Sequence, residues 1–446
     1  MSDMLSIGAS SLRAYQTALT TTSENIANAG QAGYSRRTAP VREVVAPGGL
    51  ATGNAQGMGV VVNGIARATD IYKTAAVRTA TAELARTETG ATWLERIEGS
   101  LSGNQLGERL TAFFNAAKKV AADPASSAPR ATMLEAASSV AASFAATGAA
   151  LDGAMADLDA SAGAAATQLN GLASALGKVN AGLGRSAPGT SGQAALLDQR
   201  DKLLEEMSAI ADVSVTTDDF GKATVRVGGV AGPVLVEGEN AGAVTYARSD
   251  AGLVAYAVHF QGQSSAVSPS GGTLAGLAEG AQRIADAHAE INRLATDFAN
   301  GVNAVQAAGD DLDGNPGAPM FAIGDPASQL SLVLDDPRGI AAAGRGAGVR
   351  DNGNLAGFET LRSTARSEDG VASLTTANAA ALSARTAVAE AQTAMRDSAI
   401  AERSAAVGVN IDEEAVDLIR FQQAYQASTR VIQVARETLQ SILDIR

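Results

Sequence analysis

The sequence contains no cysteine, which excludes disulfide bonds, thiol nucleophiles and zinc–thiolate sites. Histidine is almost as rare: the chain has two, His259 and His288, and neither has a second histidine at metal-ligand spacing. Both are therefore expected to be structural. We predict no catalytic residue, no cofactor and no metal site.

Aromatic residues make up only 4% of the chain, although 46% of its residues are hydrophobic and it contains 47 glycines. With so few bulky side chains, the cores are expected to be built from close contacts between helices. The net charge of −13 argues against nucleic acid as a partner, because phosphate binding needs a basic surface and no stretch of the sequence supplies one.

Long apolar runs are also absent, since no stretch approaches 18 consecutive apolar residues. The N-terminal segment MSDMLSIGASSLRAYQ has neither a basic region nor the apolar run of a secretory signal. We therefore expect no membrane insertion. The residues alone favour a cytoplasmic protein over one that is exported by an unconventional route.

Apolar residues recur at alternating spacings of three and four near both ends of the chain, which is typical of coiled-coil helices. We call these residues the terminal seam and predict that they form an assembly interface. They are Leu5, Leu12, Tyr15, Leu19 and Ile26 at one end, and Leu418, Phe421, Tyr425, Ile432, Leu439 and Ile442 at the other. The pattern leaves open whether each helix packs within the monomer or against another molecule.

Between the two ends, the helical period predicts long helices, and one stretch changes to the strand period of two. Val213, Val215, Val225 and Val227 flank a turn-rich segment and predict a β-hairpin. The sequence thus predicts a mainly α protein with a β insertion. The predicted helices cover 70–101, 108–122, 144–183, 194–211, 273–305, 375–406 and 411–446.

Three structural units follow from this pattern. Residues 1–36 with 408–446 form a terminal coiled-coil domain of paired helices. Residues 37–211 with 269–407 form an elongated helical rod domain that is discontinuous in sequence. Residues 212–268 form a small antiparallel β domain that is expected to point outward.

Three stretches resemble the bacterial flagellar rod, hook and hook-associated protein family. They are NIANAGQAGYSRR at 25–37, LLDQRDKLLEEM at 196–207 and the C-terminal stretch beginning GVNIDEE at 408. The second and third stretches point to the members at the hook–filament junction. The motif residues are Asn25, Asn28, Gly33, Tyr34, Leu197, Asp198, Arg200, Asp201, Asn410, Asp412, Glu413 and Glu414.

Asp412, Glu413 and Glu414 could be mistaken for a catalytic carboxylate cluster. They fall in the first turn of the predicted C-terminal helix, where negative charge complements the helix dipole. We interpret all three as residues that stabilise the start of this helix.

The resemblance implies a structural subunit, not an enzyme, that joins the flagellar hook to the filament. Members of the family are exported unfolded through the flagellar type III apparatus, so an extracellular flagellar location replaces the cytoplasmic expectation. The implied partners are further copies of the chain in a helical ring, the hook protein, a second junction protein and an export chaperone bound at the C-terminal region.

The alternatives are a flagellar hook or rod subunit, and a filament or tip protein of an injection-type secretion system. An enzyme within the β insertion is the least favoured. Larger family members have an additional outer β domain after the segment that matches MFAIGDP at 320–326. Here only about 30 residues separate that segment from residue 353, so we expect this domain to be missing or reduced to a remnant.

Overall fold

Helices hold most of the chain in the computed structural model, which describes residues 2–31, 33–45, 57–249 and 252–444. Small antiparallel sheets hold much of the remainder, so the predicted mainly α fold with a β insertion is confirmed. The helices are α1 (Ser2–Asn28), α2 (Ile71–Ser102), α3 (Leu106–Ala122), α4 (Ser127–Arg185), α5 (Ser191–Ile210), α6 (Gly272–Ala308), α7 (Ala356–Ala365), α8 (Ser367–Val407) and α9 (Ile411–Leu443).

The strands pair antiparallel in every sheet of the described ranges, and most sheets contain only two. The two larger sheets have the orders β5-β6-β7-β8 and β11-β10-β9. The strands are β1 (Arg37–Thr38), β2 (Val41–Val45), β3 (Gly57–Val62), β4 (Ala66–Arg67), β5 (Val213–Thr217), β6 (Ala223–Val227), β7 (Val234–Glu237), β8 (Asn240–Ala241), β9 (Ala243–Arg248), β10 (Val254–Phe260), β11 (Gln263–Val267), β12 (Gly309–Asp310), β13 (Phe321–Ala322), β14 (Ser331–Leu332) and β15 (Ala343–Gly344).

Helix α4 is longer than its heptad pattern predicts. It has 59 residues and begins at Ser127, whereas the sequence indicates a start near residue 144. Pro129 does not prevent this earlier start, because proline is tolerated in the first turn of a helix, where its missing N–H leaves no hydrogen bond unmade. At 1.5 Å per residue α4 is about 90 Å long.

By length and composition, α4 is also apolar enough to cross a membrane. Half of the most apolar 18-residue stretch of this helix is buried inside the protein, as in the core helix of a globular domain. Its buried face includes Leu151, Leu158, Leu169 and Leu176, each 0% exposed, so the apolar character of α4 is accounted for by packing within the chain.

The core lies between α2, α3, α4 and α6, with α8 covering α2. Phe113 of α3 is central, with its ring 5.3 Å from that of Phe298 and 5.9 Å from that of Phe358, both edge to face. Elsewhere the helices approach closely, as predicted: a Cβ on Gly280 of α6 would lie 2.6 Å from the Trp93 ring of α2.

The β insertion lies directly on α4. The predicted hairpin is confirmed, with Val213 opposite Val227 and Val215 opposite Val225. The Asn180 side chain on α4 accepts from Ala223 N–H at 2.9 Å and donates to its carbonyl at 2.8 Å, which fastens β6 to the helix. Buried residues of both sheets share one core with the helices, and the division into three domains stays a prediction.

The segment between α6 and α8 differs most from expectation. It contains β14, which pairs with β13, and the unpredicted α7 precedes α8. Helix α8 starts at Ser367 instead of 375, because α7 ends where Arg366 adopts a left-handed conformation with φ of 48°. The sequence around Arg366 has no Gly or Pro to mark this boundary.

Helices α1 and α9 lie antiparallel against each other, although they come from opposite ends of the chain. Strand β3 packs on the outer side of α1. Gly59 allows this approach, because it adopts a φ of +96° and a Cβ there would lie 3.2 Å from the Ile7 Cα.

Candidate assembly site

The chain turns back at the end of α1 around the buried side chain of Asn25, which is 1% exposed. Its Oδ1 accepts hydrogen bonds from Tyr34 Oη at 2.9 Å and Arg37 N–H at 3.0 Å. Its Nδ2 donates to the Arg37 carbonyl at 2.7 Å and to Glu414 Oε2 at 3.0 Å. All four hydrogen-bonding positions of the amide are thus used, which fixes this turn against the start of α9.

Glu414 joins the two ends of the chain. Its carboxylate is 2% exposed and accepts from Arg36 Nε at 2.7 Å in addition to Asn25. The Arg36 guanidinium also lies 3.3 Å from Glu413, and the Arg36 N–H donates to the Val407 carbonyl at 2.8 Å. Glu414 lies in the first turn of α9, as the sequence predicts, and it is in addition a buried partner of the segment that follows α1.

A ladder of arginines and aspartates continues from this turn into α5. Arg37 Nη2 lies 2.9 Å from Asp198 Oδ2, and Arg67 lies 2.7 Å from both Asp198 and Asp201. Arg200 then donates to Asp201 Oδ1 at 2.6 Å. Both Arg37 and Arg67 are 8% exposed, so these are largely desolvated pairs in which each guanidinium needs its carboxylate.

Together these side chains form one cluster at the junction between the terminal helices and the helical domain. We call it the joint network. Its members are Asn25, Tyr34, Arg36, Arg37, Arg67, Asp198, Arg200, Asp201 and Glu414. Burial raises the pKa of the Tyr34 hydroxyl, and nearby carboxylates add to this effect, while the Arg37 guanidinium opposes it. The hydroxyl therefore stays protonated and donates its hydrogen bond.

Motif reasoning identified six members of this network but missed Arg36, Arg37 and Arg67. The first two lie inside the quoted stretch 25–37, where adjacent arginines in an otherwise apolar and small-residue segment were the available signal. Arg67 had no signal in the sequence, because only the pairing of β4 with β1 brings it beside α5.

The remaining motif residues shape the surroundings. Asn28 Nδ2 donates to the Glu24 carbonyl at 2.8 Å, and Gly33 adopts a φ of +84°, which other residues rarely adopt. Asn410 caps α9 by accepting from Asp412 N–H at 3.1 Å, as its position predicts. Leu197 packs against the core beside the network.

The terminal seam is only partly covered in the single chain. The Tyr15 and Phe421 rings are 6.4 Å apart, and Gly8 lies against Ile432. Leu439 is 42% exposed, and the side chain of Ile442 lies outside the described residues. The other seam side chains are half-buried: Leu5, Leu12, Tyr15, Leu19, Ile26, Leu418, Phe421, Tyr425 and Ile432.

The side of α9 that faces away from α1 is partly apolar. Apolar side chains stand exposed there, including Val416 at 65%, Ile419 at 55% and Val434 at 55%. Helix α9 therefore has apolar surface both toward α1 and away from it.

A groove of about 760 Å³ adjoins the joint network. It is lined by the start of α2, the second half of α5, the end of α8 and the loop that follows α1. Within the described ranges there is no group of three or more His, Asp or Glu side chains that could hold a metal ion. The arrangement is that of a structural joint with an adjacent open groove.

Comparison with known proteins identifies the family. A family model described as the flagellar hook-associated protein FlgK helical domain matches residues 92–321, more than half of the chain. The chain belongs to the FlgK family of flagellar hook-associated proteins. A second model, described as the flagellar basal body rod FlgEFG protein C-terminal, matches residues 403–445. The resemblance inferred from the motifs is confirmed.

Several curated FlgK relatives carry the name flagellar hook-associated protein 1. The Salmonella typhimurium protein is 28% identical over 337 residues, covering 73% of this chain and 60% of the relative. The Escherichia coli protein is 28% identical over 362 residues, covering 79% and 64%. The chain thus spans less than two thirds of the length of these relatives.

A solved structure, the flagellar hook junction protein FlgK from Burkholderia pseudomallei, has a TM-score of 0.50 and 23% identity to this chain. The match covers 56% of this chain and 46% of that one, and it supports the fold. The FlgK relatives are structural flagellar proteins and not enzymes, in agreement with the sequence-based prediction of a non-enzymatic role.

Proposed function

We propose that the protein is a structural subunit of the bacterial flagellum at the junction between hook and filament. The observation that carries this proposal is the match of the FlgK helical domain model to residues 92–321. The C-terminal rod-type model also matches. A match to this segment alone does not distinguish a hook or rod subunit from a junction subunit. The match to the FlgK helical domain is what favours a junction subunit over a hook or rod subunit.

The terminal helices α1 and α9 are the proposed assembly elements. They pair as an antiparallel coiled coil and pack with the same helices of neighbouring copies to line an inner tube. Two features support this: the terminal seam is only half-buried in the single chain, and α9 exposes Val416, Ile419 and Val434 on its other side. Covering these side chains in an assembly stabilises it at about 25 cal/mol per Å² of apolar surface.

The joint network couples this helix pair to the helical domain. Because Arg36, Arg37 and Arg67 hold carboxylates from α5 and α9, the orientation of the terminal helices relative to α5 is fixed by several simultaneous ion pairs. A ring subunit needs such a fixed angle, since small rotations repeated around a ring prevent its closure.

The remaining parts of the proposal follow the family. The chain is exported unfolded to the extracellular flagellum, a chaperone binds its C-terminal region, and the assembled ring contacts the hook protein and a second junction protein. Residues 326–353 hold only β14, β15 and a 3₁₀ turn among regular elements, so an outer β domain at this place has no counterpart here.

Deleting the gene tests the assigned role. We expect cells with hooks but no filaments, with flagellin released into the medium, and restoration by the full-length chain. Electron microscopy and immunoblotting of the medium measure both effects. Normal filaments in the deletion strain would rule out a junction role, and loss of hooks would instead identify a rod or hook subunit.

Two truncations test the assembly elements separately. Removing residues 1–28 or 411–446 is expected to leave the helical domain folded while abolishing filament attachment. Circular dichroism and urea unfolding report on the fold, and complementation of the deletion strain reports on assembly. Global unfolding of both truncated chains would show instead that α1 and α9 are parts of one monomeric core.

A further inference from the structure

The groove beside the joint network contains the guanidinium of Arg78, which has no hydrogen-bonded carboxylate among the described residues. Arg78 of α2 lines this groove, and within the described residues its side chain has no hydrogen bond and no ion pair. Burial lowers the pKa of its guanidinium, opposed by the nearby Asp201 carboxylate. A partly buried guanidinium without a hydrogen-bonded carboxylate is costly, so an anion from outside the chain would stabilise it.

The other charged side chains in the groove are already engaged. Arg403 is paired with Glu205 at 2.6 Å, and Arg200 with Asp201 at 2.6 Å. The rim carries exposed apolar side chains, with Ile71 71% exposed and Tyr72 82% exposed. A fitting occupant therefore presents one carboxylate and an apolar patch next to it.

Helix α9 carries a surface with these properties. Asp412, Val416 and Ile419 follow a spacing of four and three, which places them on one face of the helix. Val416 and Ile419 are more than half exposed, and Asp412 is exposed, with no ion pair to its carboxylate within the described residues. Asp412 and Arg78 thus have complementary unsatisfied charges.

The two surfaces also lie at the same level of the molecule. Gly408 and Val409 line the groove, and Asp412 follows them by about one helical turn. Rotation about the axis of a ring moves each subunit without changing its level, so a contact between neighbouring copies joins surfaces that lie at one level of the molecule. A contact between two different surfaces of identical subunits repeats around a ring until the ring closes.

We propose that Arg78 of one copy binds the Asp412 carboxylate of a neighbouring copy, with Val416 and Ile419 packed against Ile71 and Tyr72. The contact is a lateral one between copies of this chain. It rests on the proposed function, because it specifies which surfaces meet when the subunits assemble.

Crosslinking tests the contact directly, since the chain has no cysteine of its own. Ala75→Cys places a thiol in the groove, and Ala415→Cys places one beside Asp412 without changing either charge. Both variants are expressed together in the deletion strain, and intact flagella are treated with a short bismaleimide. We expect a dimer of the chain only when both variants are present.

Ala156→Cys is the matched control, because this exposed alanine lies in the middle of α4. Paired with Ala75→Cys, it is expected to give no dimer. Filaments that assemble normally while the 75 and 415 positions fail to crosslink would overturn the contact and leave the junction role intact. A crosslink from position 75 to a different protein would also overturn it.

Charge reversal gives a second readout. In the chains that carry the cysteines, Arg78→Glu is expected to abolish the dimer, and adding Asp412→Arg is expected to restore it. Restoration also shows that the reversed chains fold and are exported. Crosslinking that persists with Arg78→Glu alone, or that stays lost in the doubly reversed chain while filaments still attach, would contradict an ion pair at this contact.

Discussion

At the residue scale, the joint depends on buried polar side chains that hydrogen-bond to one another, with Asn25 and Glu414 at its centre. Asn25 uses all four of its hydrogen-bonding positions, and Glu414 accepts from both Asn25 and Arg36. Such groups cost little while every partner is present, but removing one leaves the others desolvated and unpaired.

Replacing Glu414 by Ala should therefore lower the free energy of unfolding by about 2 kcal/mol, because it leaves Arg36 and Asn25 without their hydrogen-bond acceptor. Glu413→Ala is the matched control: its carboxylate is 59% exposed, so its removal should cost less than about 0.5 kcal/mol. Urea unfolding at pH 7 measures both. Equal effects of the two substitutions would show that the buried contact contributes nothing beyond surface charge.

Glu368 gives a pH-dependent contribution at the start of α8. Burial raises the pKa of its carboxyl, but hydrogen bonds from Arg362 and Thr111 outweigh this and leave the pKa below its ordinary value. A carboxyl with a lowered pKa contributes stability above the pKa of the unfolded state and loses it as the pH falls through the pKa of the folded state.

We therefore expect Glu368→Gln to lower the unfolding free energy by about 1 kcal/mol at pH 7 and to have little effect near pH 3. Asp369→Asn is the control, since the side chain of Asp369 is 63% exposed. Urea midpoints of the three proteins between about pH 3 and pH 7 test this. A difference between wild type and Glu368→Gln that does not change with pH would contradict it.

Sequence reasoning found the motif residues of the joint but not their chemistry. Asp412, Glu413 and Glu414 look alike in sequence, and helix-start electrostatics applies to all three. Only the fold reveals that Glu414 faces Asn25 and Arg36, because that requires the two ends of the chain to meet. Burial of a carboxylate by a segment almost 400 residues away has no local signature.

At the element scale, α4 contains glycines that serve no packing purpose. A Cβ at Gly153, Gly163 or Gly171 would have no neighbour within 4 Å, whereas one at Gly177 would lie 2.8 Å from the Glu239 carbonyl oxygen. In a helix interior, glycine is less favourable than alanine by about 1 kcal/mol.

Alanine at position 153, 163 or 171 should thus raise the unfolding free energy by about 0.5–1 kcal/mol each. Alanine at position 177 should lower it, because the added methyl group collides with backbone. Thermal unfolding of the four single variants makes the comparison. Stabilisation at position 177 as well would mean that β8 lies farther from α4 than the structure shows.

Element types followed from the sequence more reliably than element boundaries. The change of period at Val213 located the β insertion, and the hairpin predicted there is present. The boundary between α7 and α8 could not be found in this way. It depends on the left-handed conformation of Arg366, which residues other than glycine rarely adopt.

At the scale of the whole molecule, stability is expected to be uneven. Helices α4 and α6 contribute many fully buried side chains, whereas the seam between α1 and α9 is half-buried. We predict that backbone amides of α1 and α9 exchange with solvent much faster than those of α4 and α6 in the free subunit.

Hydrogen–deuterium exchange with mass spectrometry measures this in the isolated subunit and again in purified flagella. Assembly is expected to slow exchange in α1 and α9 and to leave α4 nearly unchanged. Terminal helices that are already as protected as α4 in the free subunit would contradict the idea that assembly completes their packing.

The meeting of α1 with α9 has a consequence for the order in which the chain becomes available. A polypeptide that emerges from its N-terminus presents α1 first, and the complementary surface of α9 arrives only after every other described helix. Until α9 is present, the apolar side of α1 has no helix to pack against. A chain that ends before α9 never supplies that helix. The antiparallel pair therefore forms only in a chain that contains both α1 and α9.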